Sequence, residues 1–290
     1  MRNIKDSIIR PLLTPILRKL EMNSVVLQLF QELEHKGKIH KKLSLDTMSD
    51  CTITAQVNSE SGVITFGECF LCYLWSACYY CEITYNEGIR KQLTGDSNIN
   101  RDLIAQAEEV YTWGKSLHAG YIDYPQEYPL PNDYKQNKNM LMVNICFLYA
   151  VEYIVYHEVG HIFLNHKDDG TDLFQKEYDA DMFAFQYIQK ELLTNPENEK
   201  ALRLGVLLGL SGLVLYDYTA NKDGETHPSS IERTKRYLET LNVETNDELW
   251  VIACFLLFAW DKSFSKWIDF SDDGNNFKEL FYNTYNSIKQ

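Results

Sequence analysis

The stretch that decides the fold is Tyr153-Ile154-Val155-Tyr156-His157-Glu158-Val159-Gly160-His161-Ile162-Phe163-Leu164, the end of a run from Met140 that is apolar on nearly every helical face. A helix of that kind belongs in the middle of a core. Two histidines and a glutamate conflict with such surroundings, because buried polar groups are costly unless they are paired or metal-bound. The spacing resolves the conflict. Residues four apart share one helical face, so the imidazoles of His157 and His161 can reach the same ion. Glu158 projects about 100° around the helix from His157, where it can act on a water without ligating the metal. Core histidines satisfied by their neighbours are the competing account.

A catalytic zinc needs a third protein ligand and an open position. Sixteen residues after His161 comes Glu177-Tyr178-Asp179-Ala180-Asp181, on a stretch with helical periodicity. Glu177 and Asp181 are again four apart. Glu177 can complete the ligand set, while Asp181 accepts a hydrogen bond from the distal nitrogen of a liganding histidine and so fixes its tautomer. The acidic first turns of an ordinary helix, favoured by its dipole, explain the same residues without a metal. A third element is His227-Pro228 followed by Arg233. His227 could donate to the oxyanion of a tetrahedral intermediate, and Pro228 would start the next helix. From the residues alone, a loop histidine with an exposed arginine further on is the plainer account. His166 lies five residues past His161, off the ligand face, and reads as a helix-end residue.

Outward from this core the chain is mostly helical. Helices are expected over 24–36, 68–84, 100–117, Met140–Leu164, from a cap at Asp172 and Gln175 to about Leu193, and over 197–218, 228–241, 246–261 and 276–287. Asp168, Asp169 and Gly170 end the central helix. Cys51–Val57 and Val63–Phe66 alternate and are rich in β-branched residues, and Asn58–Gly62 joins them as a hairpin. An extended substrate could add to its edge as a further strand. Tyr121–Asn139, with three prolines and little periodicity, is a surface loop, either a plain connector or a lid. The expected architecture is mainly α, an α+β domain with a zincin-like helical core and a small sheet at the edge of the site. It forms one domain over 1–290, with an N-terminal lobe of about 1–135 and a catalytic lobe of about 136–290.

Composition narrows the function. Hydrophobic residues make up 45% of the chain, which excludes wholesale disorder. A net charge of −13 argues against a nucleic-acid partner, which calls for a basic face. The only basic cluster, Lys36, Lys38, Lys41 and Lys42, reads as a solvated turn. Arg10, Pro11 and Pro15 interrupt the apolar residues near the N-terminus, so no secretory signal is expected there. Leu204–Tyr216 and Leu249–Trp260 fall short of the ~20 residues that span a bilayer, and no transmembrane segment is expected. Seven cysteines without an export signal suggest free thiols in a reducing, cytoplasmic compartment. Cys69, Cys72, Cys78 and Cys81 are spaced too tightly for a four-thiolate zinc site and read as buried thiols.

Glu177-x-x-Ala180-Asp181, and Thr226-His227-Pro228 with Arg233, downstream of the His157–His161 motif, resemble the HtpX and CAAX-processing zinc endopeptidases, although those carry long transmembrane helices. The chain more closely resembles the Lit peptidases, the bacterial phage-exclusion proteases, in length and motif order. That likeness extends to Leu93-Thr94-Gly95, the Ile-rich approach to His157, and His227-Pro228 with Glu232-Arg233. It covers most of the chain and is most specific between residues 150 and 235. The resemblance implies a zinc protease that cuts a host protein, elongation factor Tu, when a phage infects. Its motif positions fall on His157, Glu158, His161, Glu177 and Asp181, with His227 and Arg233 following the wider pattern. Because a constitutively active enzyme of this kind would poison its host, low basal activity and a phage-derived activator are expected. A zinc-containing sensor without proteolysis and a small-molecule zinc hydrolase are the alternatives.

Overall fold

The computed structural model describes residues 7–13, 15, 24–39, 44–48, 54–58, 63–135, 137–166, 172–194, 196–216, 229–260 and 276–289. The elements run α1 (Ser24–His35), β1 (Ser44–Met48), β2 (Ala55–Asn58), β3 (Val63–Gly67), α2 (Glu68–Thr84), α3 (Arg101–Ser116), α4 (Lys138–Phe163), α5 (Leu173–Thr194), α6 (Glu199–Tyr216), α7 (Ser230–Leu241), α8 (Glu248–Trp260) and α9 (Phe277–Lys289). α2 continues through a π-helical turn, Tyr85–Ile89, to Leu93. The protein is therefore mainly α with one small sheet, as the periodicity indicates.

α4 is the central element. Its first turn is closed by Asn137, whose side-chain oxygen accepts from the backbone amides of Asn139 and Met140, which is how an N-cap satisfies orphan donors. From there α4 is buried on nearly every face, from Met140 through Ile162. α2, α5 and α6 wrap it. It is the one helix among the described residues long and apolar enough to cross a membrane. It is longer than Leu204–Tyr216 and Leu249–Trp260, the two stretches measured above against a bilayer. In this fold its apolar surface is covered by protein. α2 is covered in the same way, with every residue from Glu68 to Ile83 buried. At its other end the chain packs back on the core through Ile8, Ile9 and Leu12.

Helix α6 approaches α4 closely because Gly205 faces it. A Cβ at Gly205 would stand 2.4 Å from the Tyr149 Cβ and 2.8 Å from the carbonyl oxygen of Cys146. Both distances are well inside contact, and part of the obstacle is backbone that cannot rotate away.

The sheet has three strands in the order β1-β3-β2. β2 and β3 form the expected antiparallel pair, with Ala55 opposite Phe66 and Asn58 opposite Val63. The alternation in β3 turns Ile64 and Phe66 into the core. β1 pairs parallel to β3, with Ser44 opposite Val63. β3 is thus the central strand and offers no edge. An added strand would have to pair with β1 or β2.

One open alternative narrows and one expectation changes. Tyr121–Asn139 is pinned down as a connector. The Trp113 indole donates to the Ile122 carbonyl, Tyr124 packs edge-on against Trp113, and the Asn144 amide donates to the Pro131 carbonyl. Asn144 precedes His157 by thirteen residues, about 20 Å along a helix, so this loop is no lid over the histidines. Cys72, Cys78, Cys81, Cys146 and Cys254 are free and buried, and burial pushes the Cys72 thiol up to about 12. Cys69 departs from the free-thiol expectation, since its sulfur is in a disulfide. Pairing is a tertiary property that cysteine spacing alone does not determine.

Replacing Gly205 with alanine should lower the unfolding free energy by roughly 1–3 kcal/mol, the cost of overpacking a tight contact, measured by urea denaturation. An unchanged midpoint would mean that the α4–α6 approach is not constrained there.

Candidate metal centre

His157 and His161 project from the last two turns of α4, and Glu177 from the second turn of α5. What lets α5 come close is Gly160. A Cβ there would meet the Ala180 Cα at 3.2 Å and its carbonyl oxygen at 3.3 Å. The small pair Gly160 and Ala180 lets the two helices touch backbone to backbone beside the histidines. Glu177, less than one turn before Ala180, is thereby carried up to the imidazoles.

The resulting geometry is compact. His157 Nε2 lies 3.2 Å from His161 Nε2 and 3.3 Å from Glu177 Oε2, and His161 Nε2 lies 3.4 Å from Glu177 Oε1. A tetrahedral shell with bonds of about 2.0–2.2 Å separates its donors by roughly 3.3–3.6 Å. The two imidazole nitrogens are spaced for two corners around one ion, each has a Glu177 oxygen at a similar distance, and the mixed imidazole and carboxylate chemistry suits a divalent transition metal. These three form the group among the described residues that could hold a metal ion. His157 and Glu177 are buried, whereas His161 and Glu158 are partly exposed, so the centre opens on that side.

The outer partners are as well defined. His157 Nδ1 lies 2.9 Å from Asp181 Oδ1, which turns its Nε2 toward the centre. Asp181 is itself held by four donors. The Arg233 guanidinium grips it with two bonds, Nε to Oδ2 and a terminal nitrogen to Oδ1, each 2.7 Å. The Tyr153 hydroxyl donates to Oδ1 at 2.6 Å, and His157 supplies the fourth. Burial favours the neutral acid, but Arg233 and these hydrogen bonds outweigh it, and Asp181 is held well below the usual carboxylate range. Burial likewise disfavours a charged His157, yet the bonds to Asp181 and Glu177 prevail and raise it to about 9. The two carboxylates thus draw positive charge to this centre.

Arg233 is buried, not exposed as the plainer sequence reading had it. It comes from α7, whose N-cap is Ser229, accepting from the Glu232 amide. The helix starts at Ser230, two residues later than a start at Pro228. His227 and Pro228 lie outside the described residues, as do Asp168, Asp169 and Gly170. The Gln175 side-chain amide donates forward to Asp179 at 2.8 Å.

Two contributors escaped the sequence reading. Tyr153 stands one helical turn before His157, and the i, i+4 relation was its available signal. The other is His166, whose Nδ1 lies 3.0 Å from His161 Nδ1. Burial and the neighbouring His161 lower its imidazole from the ordinary value.

All of these residues fall within 64–253, the segment that matches the model of the peptidase U49 family. The chain belongs to the peptidase U49 family. The cell death peptidase of Escherichia coli (strain K12) is a relative, 24% identical over 256 residues that cover 83% of this chain and 84% of that protein. No solved structure matches the chain. The family match supports the Lit-type resemblance, and the more distant likeness to HtpX and CAAX-processing endopeptidases gains nothing from it. Membership makes the polar cluster in α4 and α5 a peptidase's candidate centre.

Arg233→Leu should destabilise the protein by ~3–5 kcal/mol, because it strands a buried carboxylate. Arg233→Lys should recover only part of that, since an ammonium cannot reproduce the two-pronged bond. Urea denaturation of both variants tests this, and a wild-type midpoint for Arg233→Leu would show that Asp181 does not depend on it.

Proposed function

We propose that this chain is a zinc-dependent endopeptidase that cuts a folded cytoplasmic host protein during phage infection, with elongation factor Tu as the first candidate substrate. The observation that carries the chemistry is the cluster of His157, His161 and Glu177, whose ligand atoms, one from each, lie within 4.8 Å of one another in a peptidase-family chain. Zinc suits that ligand set, with an open fourth position expected of a catalytic site. The partly exposed Glu158 beside it favours catalysis over a purely structural ion. Cytoplasmic location, the elongation factor and a phage-derived activator rest on the Lit resemblance. The relative's designation as a cell death peptidase is consistent with an enzyme kept latent until infection.

In this reading His157, His161 and Glu177 hold the ion. Bound zinc supplies a Lewis acid that polarises the scissile carbonyl and acidifies water. Glu158 takes the proton of the attacking water and later delivers it to the leaving amine. Asp181 keeps the His157 proton on Nδ1, and Arg233 and Tyr153 keep Asp181 in place. His227, two residues before Ser229 in the sequence, is proposed to donate to the developing oxyanion.

Glu158→Gln should abolish cleavage, by at least ~10²-fold in rate, while zinc content by plasma mass spectrometry stays at the wild-type level. A wild-type chain that takes up no zinc, or a Glu158→Gln enzyme with normal turnover, would refute the reading. Terminal proteomics of infected cells should reveal a cut elongation factor absent from Glu158→Gln cells. Cleavage of another protein instead would keep the chemistry and discard the substrate.

His227→Phe should lower kcat by ~10²–10³-fold, the usual cost of losing an oxyanion donor, with zinc content and Tm unchanged. Normal turnover in that variant would remove the role.

A further inference from the structure

His161 has one nitrogen facing the donor centre and one facing away. The inner one, Nε2, lies 3.2 Å from His157 Nε2 and 3.4 Å from Glu177 Oε1. The outer one, Nδ1, lies 3.0 Å from His166 Nδ1, with the two rings 5.1 Å apart and inclined at 70°. A single proton can occupy the space between two imidazole nitrogens at that separation. If His166 carries it, a neutral His161 has its own proton on Nε2, aimed into the centre, and cannot bind a metal there. If His161 carries it, Nε2 presents a lone pair to the centre, and His166 accepts at Nδ1 with its own proton on Nε2.

The position of His166 is set by how α4 ends. Asn165 adopts a left-handed conformation, with φ 62°. The Asn165 amide bonds to the Ile162 carbonyl at 3.1 Å and the His166 amide to the His161 carbonyl at 3.0 Å. These are the two bonds of a Schellman motif. The motif turns the chain back over the last turn and lays the His166 ring against that of His161. Asparagine is one of the few residues besides glycine that accepts this conformation readily. The helix stop and the placement of the imidazole are therefore one feature.

We propose that His166 is a positioning residue of the metal centre: it accepts the Nδ1 proton of His161 and so holds that histidine in the tautomer that can ligate. Resting on the metal-site reading above, this gives each liganding histidine its own acceptor, Asp181 for His157 and His166 for His161. The two acceptors differ in kind. Asp181 is an anion locked by Arg233, whereas His166 is a neutral ring on a partly exposed helix end.

The test uses the full-length chain and zinc itself, titrated against a chelator of known affinity. His166→Phe keeps a ring and removes the acceptor, and it should weaken zinc binding by ~10–100-fold, the range for lost outer partners. His166→Asn offers an amide oxygen near the place of Nδ1 and should bind within about threefold of wild type, with Tm recorded for both. Cobalt(II) absorption separates positioning from ligation. The visible band of the cobalt-loaded His166→Phe protein should keep its wild-type shape and intensity at saturation. Wild-type affinity in His166→Phe would overturn the proposal, as would an equal loss in His166→Asn or a changed cobalt spectrum, which would mark His166 as a ligand. A wild-type chain that binds neither metal would instead overturn the metal-site reading.

Discussion

The structure turns on the carboxylate of Asp181. Buried and ionised, it would be untenable alone, since an unpaired charge in a protein interior costs several kcal/mol. It is tenable because three helices each contribute to it: α4 through Tyr153 and His157, α5 through Asp181 itself, and α7 through Arg233. Below this node, Tyr153 stacks on Phe185, and Phe185 packs against Tyr237. The same three helices therefore meet again in an aromatic layer. A polar lock on an apolar stack fixes their mutual rotation more sharply than packing alone would, because the fork of an arginine has only one good orientation on a carboxylate.

Close helix approach is the second constraint, and it is met with small residues. Gly160 against Ala180 sets the distance from α4 to α5, and Gly205 against Cys146 and Tyr149 sets that from α4 to α6. The first pairing lies inside the histidine motif itself. The position between Val159 and His161 thus has a packing duty that the motif's chemistry does not demand, and the carboxylate of Glu177 reaches the imidazoles because that position lacks a side chain.

What was legible in the sequence follows from where each signal resides. α4 and its histidines lie in one contiguous segment, with spacing that fixes their common face, so both were readable. Glu177 and Asp181 were readable as a second four-residue pair. The parallel strand β1 was not, because Ser44–Met48 is short and a parallel partner needs no hairpin turn to announce it. Arg233 looked exposed because α7 is strongly polar on its other face. His166 looked like a mere helix end because its role arises from how the helix stops, not from its place on the helical wheel. The disulfide at Cys69 was hidden for the reason any connectivity is: several pairings satisfy one spacing.

The wrapping of α4 has a consequence for biosynthesis. The helix is 26 residues long, about 39 Å, and much of its cover, α5 and α6, lies C-terminal to it and leaves the ribosome later. For that interval the nascent chain exposes a segment long and apolar enough, by length and composition, to cross a membrane. Glu152 stands near its midpoint, followed by His157, Glu158 and His161. A charged group at the centre of a bilayer helix costs roughly 2.5–3.5 kcal/mol on insertion scales. The polar residues that the folded protein must work to accommodate also bias the unfinished chain away from lipid, so the groups that make the centre also help to route the polypeptide.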